Sequence, residues 1–514
     1  MSDSLPALPK GWTWTKIEQI ICDSLIGLDK RRALQSKIPE GSPYIKMNNI
    51  TTDGRIITDE IVYVKISEKQ QETYLLKEDD LLFNTRNSKE LVGKTGIVKN
   101  ILKNSIFNNN LMRIRVSEDI LPDFICYQMC SPEFQRRMNL VKRATTNVAA
   151  IYGKDLFPLY IVLAPTLEQH RIVTKIEELF TKLDAGIKQL DCVKAQFNVY
   201  RQAVLKSAMT GKLTEQWRTE HKDKIEPASV LLEKIKEERK QKLGKKYKES
   251  PSVDTSNLPE LPKSWKWTTI DNIVRLEKGS IRMGPFGSQL KKAELTDKGI
   301  RVLWIENIVN NRFEYGNGKF ITEKKYEQLK GFTVTSGELL VTMMGTIGRV
   351  AVVPNDIGKA IISSHLLRIK LDKRICLPEY LKYCILSEYS KKQLDFHSRG
   401  VVMKGLNTDI IKSIIFPLPP LIEQNIIVEE IERHFSVIED ITKTAHQGIE
   451  QAERLRQSIL KQAFEGKLVP QDPTDEPASM LLERIKAEKE KLKQTGNKKS
   501  KRDLKQQRLI SYAK

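Results

Sequence analysis

The chain is poor in the residues from which catalytic and metal sites are usually built. Its 514 residues include only six cysteines and six histidines. The cysteines (Cys22, Cys126, Cys130, Cys192, Cys376 and Cys384) form no Cys-x-x-Cys pair, which argues against a zinc ribbon or a disulfide frame and fits reduced thiols in a cytoplasmic protein. The histidines (His170, His221, His365, His397, His434 and His446) are scattered, so their spacing gives no metal cluster. His-Glu-x-x-His, Gly-x-Ser-x-Gly and the Asn/Asp-Pro-Pro-Tyr/Phe stretch that grips a flipped adenine in amino-methyltransferases are all missing. "VGKTG" around Lys94 resembles a phosphate loop, but Ser88 stands where that loop needs its first glycine, and "GPFGSQ" at Gly284 is not a Gly-x-Gly-x-x-Gly turn. No run approaches the ~18 uncharged apolar residues of a membrane span. The opening "MSDSLPALPKGWTW" has neither the basic start nor the apolar core of a signal peptide.

What is abundant is positive charge, +21 in net terms. Part of it lies in the tail, where Arg484–Lys514 holds 12 Lys and Arg against 3 Asp and Glu. Leu258–Pro417 is basic as well, with 26 against 16, whereas Met1–Phe157 is nearly balanced, with 23 against 19. A basic globular region implies an anionic partner, most often nucleic acid.

The second abundant feature is repetition. "EPASVLLEKIKEE" (Glu226–Glu238) returns 250 positions later as "EPASMLLERIKAE" (Glu476–Glu488). "LPKGWTWTKIEQI" from Leu8 returns from Leu261 as "LPKSWKWTTIDNI". "LMRIRV" (Leu111), "APTLEQHRIVTKIEELF" (Ala164) and "LKSAMTGKL" (Leu205) return at a common offset of 255 as "LLRIKL", "PPLIEQNIIVEEIERHF" and "LKQAFEGKL". Matches in one order at a nearly constant offset mean tandem duplication of a domain-sized unit, far longer than a solenoid repeat. Each copy reads as a mixed globule followed by a long helix, and a basic run passing into Ser and Pro ("ERKQKLGKKYKESPSVDTSNLPELP") separates the copies.

Counted in heptads, the second copy places Ile427, Ile431, His434, Ile438, Ile441, Ala445, Gly448, Ala452, Leu455 and Ile459 on one seam. The first places Ile172, Ile176, Leu179, Leu183, Gly186, Leu190, Val193, Phe197, Tyr200 and Val204 there. Such runs predict coiled-coil helices, with His434 packed at a helix crossing. Pro165 and Pro420 precede the starts, and Gly211 and Gly466 follow the ends, leaving about 40 residues or roughly 60 Å of helix each. Pairing of the two helices across a pseudo-twofold axis predicts an antiparallel spacer with a globule near each end. Between matching borders the globules diverge. "YIKMNNITTDGRI" meets "VLWIENIVNNRFEYG" only in outline, and "DDLLFNTRNSKELVGKTGIV" meets "SGELLVTMMGTIGRVAVV" as strand, glycine-bearing loop, strand. Like frames with unlike loops suggest heads that read different things.

"LPKGWTWTKI", "LPKSWKWTTI", "PLPPLIEQNIIVEEIE", "LAPTLEQHRIVTKIEE", "AVLKSAMTGKLTEQW", "SILKQAFEGKLVPQDPTDEPASMLLERI", "MGTIGRVAVVP" and "GPFGSQLKKAELTDKGIRVLWIENI" resemble segments of bacterial type I restriction–modification specificity subunits. They occur in that family's order across nearly the whole chain. The resemblance implies an α+β protein in which two α/β target-recognition domains are separated by two long helices forming an antiparallel coiled coil, a pseudo-twofold internal duplication. The corresponding division is 1–163 for the first target-recognition domain, 164–257 for a central helical region and linker, 258–417 for the second domain and 418–514 for a C-terminal helical region with a basic tail. It also implies that each domain reads half of a split, asymmetric double-stranded DNA site. The helices would dock two methyltransferase subunits and the restriction/translocase subunits. The chain would have no catalysis, metal or cofactor of its own, while the complex would use S-adenosylmethionine, with ATP and Mg for restriction.

On that reading, cations and amides on loop edges neutralise phosphates and read bases. The candidates are Lys46, Asn48, Asn49, Arg86, Asn87 and Lys94 in the first domain. In the second they are Arg282, Ser288, Gln289, Lys291, Asn307, Thr346 and Arg349. Each is otherwise a solvated or turn residue. The first domain's "LIGLDKRRALQSKIPEGSPY" lacks the "GPFGS" of the second, so residues do not transfer simply between the two. A stand-alone DNA reader and a coiled-coil scaffold that never meets DNA are the alternatives. The twice-written "EPAS" helix, with its Leu231, Leu232 and Ile235 stripe, is expected to dock or brace, and its deletion to affect assembly more than half-site choice.

Overall fold

The structure is a computed structural model. It describes residues 5–491 apart from 146–147, 223–224, 248, 250–252, 257, 345–346 and 399–407. The chain divides into two compact units, one formed by Met1–Leu190 with Gln447–Lys514 and the other by Asp191–His446. The divisions at 163, 257 and 417 follow chain order, whereas packing cuts each long helix near its middle.

In the first unit a four-stranded antiparallel sheet runs in the order Ile21–Ile26, Leu111–Val116, Leu81–Asn84, Thr95–Ile97. A second sheet holds Val62–Val64, Ser42–Ile45 and Ile106–Phe107, the last pair parallel. The second unit repeats both frames. Its antiparallel sheet is Ile281–Met283, Leu366–Ile369, Leu339–Thr342, Val350–Val352. Its other sheet is Lys319–Ile321, Ile300–Leu303, Ala360–Ile362, Thr333–Val334, again with one parallel pair at its centre. In each unit a two-stranded ladder closes the globule and delivers the chain to a long helix: Thr13–Lys16 with Tyr160–Leu163, and Lys266–Thr269 with Ile415–Leu418.

The long helices, Thr166–Met209 and Leu421–Phe464, have 44 residues each, about 66 Å at 1.5 Å per residue. They start after Pro165 and Pro420 and end before Gly211 and Gly466, whose φ of +74° and +69° suit a residue without Cβ. Their Glu-Gln pairs fix the starts. Buried Glu168 and Glu423 accept from the indoles of Trp12 (3.0 Å) and Trp265 (2.8 Å). Gln169 and Gln424 accept the backbone N–H of Leu121 and Leu377 and donate to the carbonyls of Ala164 and Pro419.

Within each unit the helices run antiparallel. In the first, the guanidinium of Arg456 lies over the Phe180 ring, and a Cβ added to Gly448 would come within 3.0 Å of Leu190. In the second, Tyr200 Oη lies 3.0 Å from His434 Nδ1, and Arg218 pairs with Glu423. His434 is thus packed at a crossing. Of the seam, Ile172, Ile176, Val204, Ile427, Ile431, Ile438 and Ile459 are buried, while Leu179, Leu183, Leu190, Val193 and Phe197 are half-buried. Ile441, Leu455 and Tyr200 are exposed, and this corrects the heptad reading. A helix of 3.6 residues per turn drifts about 20° per heptad against a 3.5 count. After Ile438 the inward residue is therefore Thr442, and after Ala452 it is Arg456.

The "EPAS" helices are braces, and each serves the other copy's globule. The first, Ala228–Leu243, buries Ala228 and Ile235 in the core that contains Trp265, Ile270 and Ile273. The second, 478–491, buries Ala478, Leu481, Leu482 and Ile485 in the core that contains Trp12, Ile17 and Ile20. The long-helix ends do the same: Val204, Leu205 and Ala208 enter the second core, and Ile459, Leu460 and Ala463 the first. Each unit thus joins the head of one copy to the helix end and brace of the other. The terminal glycines seat this exchange, since a Cβ on Gly211 would meet Pro262 at 2.5 Å and one on Gly466 would meet Pro9 at 2.3 Å.

Candidate nucleic-acid interface

The turn after the central strand of each second sheet carries the Asn-Ile signature, and the fold gives its asparagine an internal task. Asn49 and Asn307 are 2% and 3% exposed. Their Oδ1 atoms accept from Lys46 N–H (2.9 Å) and Trp304 N–H (2.8 Å). Their amide nitrogens donate to the carbonyls of Ile57 in one domain and of Glu314 and Tyr315 in the other. Both side chains lock the turn and face no solvent, a correction to their place among the base readers.

Lys94 and Arg349, one offset of 255 apart, brace the same turns. Lys94 Nζ donates to the carbonyls of Met47 (3.1 Å) and Ile50, and Arg349 Nη1 reaches the carbonyl of Ile308 at 3.5 Å. Burial pulls the Lys94 ammonium below its usual pKa. Around it the chain goes from strand to turn to strand, which removes the phosphate-loop resemblance of "VGKTG". Asn48 beside it is exposed, and Lys46 is half-buried, donating to Gln35 Oε1 at 3.1 Å.

Arg86 and Asn87 lie on the edge of a small three-stranded ribbon with Ala149–Ala150 and Arg143–Ala144. The exposed Arg86 donates to Tyr152 Oη at 2.8 Å, and Asn87 Oδ1 accepts from Ser88 N–H. In the second domain Arg282 is half-buried, its guanidinium 4.3 Å from the Phe332 ring centroid. Ser288, Gln289 and Lys291 sit exposed on the loop that follows Gly284. Thr346 lies outside the described residues. The candidates therefore separate into a braced turn and a set of solvent-facing edges.

Sequence reasoning missed a duplicated ionic cluster at the helices. In the first unit the buried Arg456 pairs with Asp53 (3.0 Å) and Asp184, while Arg55 pairs with the same two carboxylates at 2.7 and 3.1 Å. In the second, Arg201 lies over the Phe435 ring and pairs with Glu439 at 3.6 Å, and Arg312 meets Glu439 at 2.7 Å. Arg201, Phe435 and Glu439 stand one offset of 255 from Arg456, Phe180 and Asp184, so the signal was available in the repeat alignment. Each cluster ties the loop after the Asn turn to both helices.

Among the described residues no helix is long and apolar enough to cross a membrane, and no group of three or more His, Cys, Asp or Glu is arranged to hold a metal.

A family model for the type I restriction modification DNA specificity domain matches residues 9–190 and again 262–451. The chain is 26% identical over 394 residues to the type I restriction enzyme EcoBI specificity subunit of Escherichia coli, covering 75% of this chain and 76% of that protein. It is 24% identical over 501 residues to the StySPI specificity subunit of Salmonella potsdam, covering 94% and 96%. Over 224 residues, 42% of this chain and 48% of the relative, it is 34% identical to the EcoKI specificity subunit of Escherichia coli strain K12. Among solved structures, a chain from a type I R-M system described for its complex assembly and conformational transition superposes with a TM-score of 0.62 at 16% identity, covering 90% of this chain and all of that one. These matches give no support to a stand-alone scaffold. The chain belongs to the type I restriction–modification DNA specificity family: it is a specificity subunit, which recognises DNA and is not itself the enzyme.

Proposed function

We propose that each of the two domains reads one half of a split, asymmetric DNA site and that the helices assemble the enzyme subunits around that site. The observation that carries this reading is the repeated frame with unlike loops. The two sheets, the Asn turn and the helix start recur in both units, while the loops between them differ in sequence and cation content. A protein that read one symmetric site would have no use for this divergence. The partners on this reading are double-stranded DNA, two methyltransferase subunits bringing S-adenosylmethionine chemistry, and restriction/translocase subunits using ATP and Mg. The place of action is the cytoplasm. The relatives' names as restriction-enzyme specificity subunits and the likeness to a chain of a type I R-M assembly support it. The test is nuclease footprinting of the chain together with its methyltransferase. Two protected blocks flanking an unprotected middle are expected; absence of protection, or one continuous block, contradicts the reading.

A further inference from the structure

The first domain's loop 28–38 and the second domain's loop 285–294 share no sequence pattern, yet they occupy one position in the fold. Gly27 N–H donates to Leu111 O at 3.0 Å and Gly284 N–H to Leu366 O at 3.1 Å; the two acceptors are one offset of 255 apart. A Cβ on Gly27 would lie 2.2 Å from Asn108 O, and one on Gly284 would lie 2.1 Å from Ser363 O, again one offset apart. Glycine is required at both, because the chain leaves the sheet pressed against another backbone. Both loops then lead to the strand that makes the parallel pair, Ser42–Ile45 or Ile300–Leu303. "LDKRRALQSKI" is therefore the counterpart of "PFGSQLKKAE".

The loops also present the same chemistry. Arg31, Arg32 and Lys37 in the first, and Lys291 and Lys292 in the second, are exposed and make no ion pair among the described residues. Each loop also holds out large apolar surface among these cations: Leu34 and Ile38 are 62% and 63% exposed in the first, and Phe286 is 58% exposed in the second. A single exposed apolar residue is ordinary. The same exposure at one topological position in both copies, beside unpaired cations, is not. Both loops are ordered from within. Gln35 bridges Lys30 O (2.8 Å) to Lys46 Nζ (3.1 Å), and Gln289 and Glu294 accept from the N–H groups of Phe286 and Lys291. Such ordering lowers the cost of immobilising a loop on binding.

We propose that these two loops are the elements by which each domain enters a DNA groove. Arg31, Arg32 and Lys37, and Lys291 and Lys292, lie along phosphates, and Leu34 and Phe286 press against base edges or methyl groups. The inference rests on the reading of the chain as a DNA-reading subunit and adds the residues that do it.

The test uses the chain assembled with its methyltransferase. Binding is measured to the full target and to duplexes with one or the other half scrambled, across a salt series. R31A/R32A is expected to lose about tenfold or more in affinity and to flatten the slope of log K against log salt by about two units, at roughly 0.9 per phosphate contact. The charge-matched K69A/K103A should do neither. L34A and F286A are expected to lose about fivefold or more in discrimination at the half read by their own domain, with unchanged thermal unfolding. An unchanged salt slope in R31A/R32A overturns the proposal, as does discrimination in F286A that is unaffected or that falls equally at both halves. If the wild-type complex itself binds no duplex selectively, the DNA-reading function fails first and the loop assignment falls with it.

Discussion

At the scale of the residue, the two copies use one design with different completeness. Glu423 accepts from Trp265, from Thr214 (2.7 Å) and from Arg218. Glu168, in the same place, accepts from Trp12 through Oε2, while its buried Oε1 takes no hydrogen bond among the described residues. No guanidinium hydrogen-bonds Glu168 among the described residues as Arg218 bonds Glu423, and Arg171 acts on it only electrostatically. Burial therefore raises the Glu168 carboxyl above its usual pKa, against the pull of the Trp12 indole. A carboxyl that holds its proton more tightly folded than unfolded stabilises the fold in acid and loses that contribution as pH climbs from its unfolded value, ~4.3, through the raised one. Glu168→Gln keeps an acceptor for Trp12 and has nothing to ionise. Its melting temperature should fall less than wild type's as pH rises through that window; superimposable pH profiles would refute this. The sequence showed Lys94, Asn49 and Arg349 as polar residues in loops. It did not show that they serve neighbouring carbonyls, because that depends on which backbone groups the fold leaves without a partner.

At the scale of the element, the helices were legible because a 3.5-residue apolar period sustained over several heptads is the mark of a long helix and of little else. The drift of that seam was not legible, since period alone does not say whether a helix wraps a partner helix or lies on a globule. The drift has a consequence: it turns Arg456 inward to 2% exposure, where Asp53 and Asp184 receive it. Arg201 in the other unit keeps about a third of its side-chain surface and meets the single carboxylate of Glu439. Removing one member of a buried pair strands the other, at a cost of about 3–5 kcal/mol, whereas an exposed pair is worth ~1 kcal/mol or less. Arg456→Met leaves Asp53 and Asp184 with Arg55 as a remaining partner, so it should destabilise the first unit by about 1–3 kcal/mol in urea titration, below the full cost of a stranded buried charge, and Arg201→Met by less. Equal effects would show that the two clusters carry equal weight.

At the scale of the whole molecule, the duplication was written openly in the sequence and the exchange between copies was not. A repeated head, helix and brace satisfy the same apolar faces whether each brace returns to its own head or crosses to the other, so the pattern is identical in both cases. The structure chooses the exchange: helix 478–491 covers the first head, and Ala228–Leu243 covers the second. This revises the expected effect of removing residue 476 onward. The deletion strips Ala478, Leu481, Leu482 and Ile485 from the first core. It should lower the unfolding midpoint of the first unit and impair reading of that unit's half-site, alongside any effect on assembly. A truncated chain that keeps both half-sites and full stability would contradict the exchanged packing.

Two unlike heads on one duplicated frame should read two unlike DNA sequences. Methylome sequencing of a host carrying this chain with its methyltransferase tests this most directly. Adenine methylation is expected at a split motif whose two specified halves differ and flank an unspecified spacer of fixed length. A single uninterrupted motif, a palindromic pair of identical halves, or no methylation dependent on the chain would contradict it.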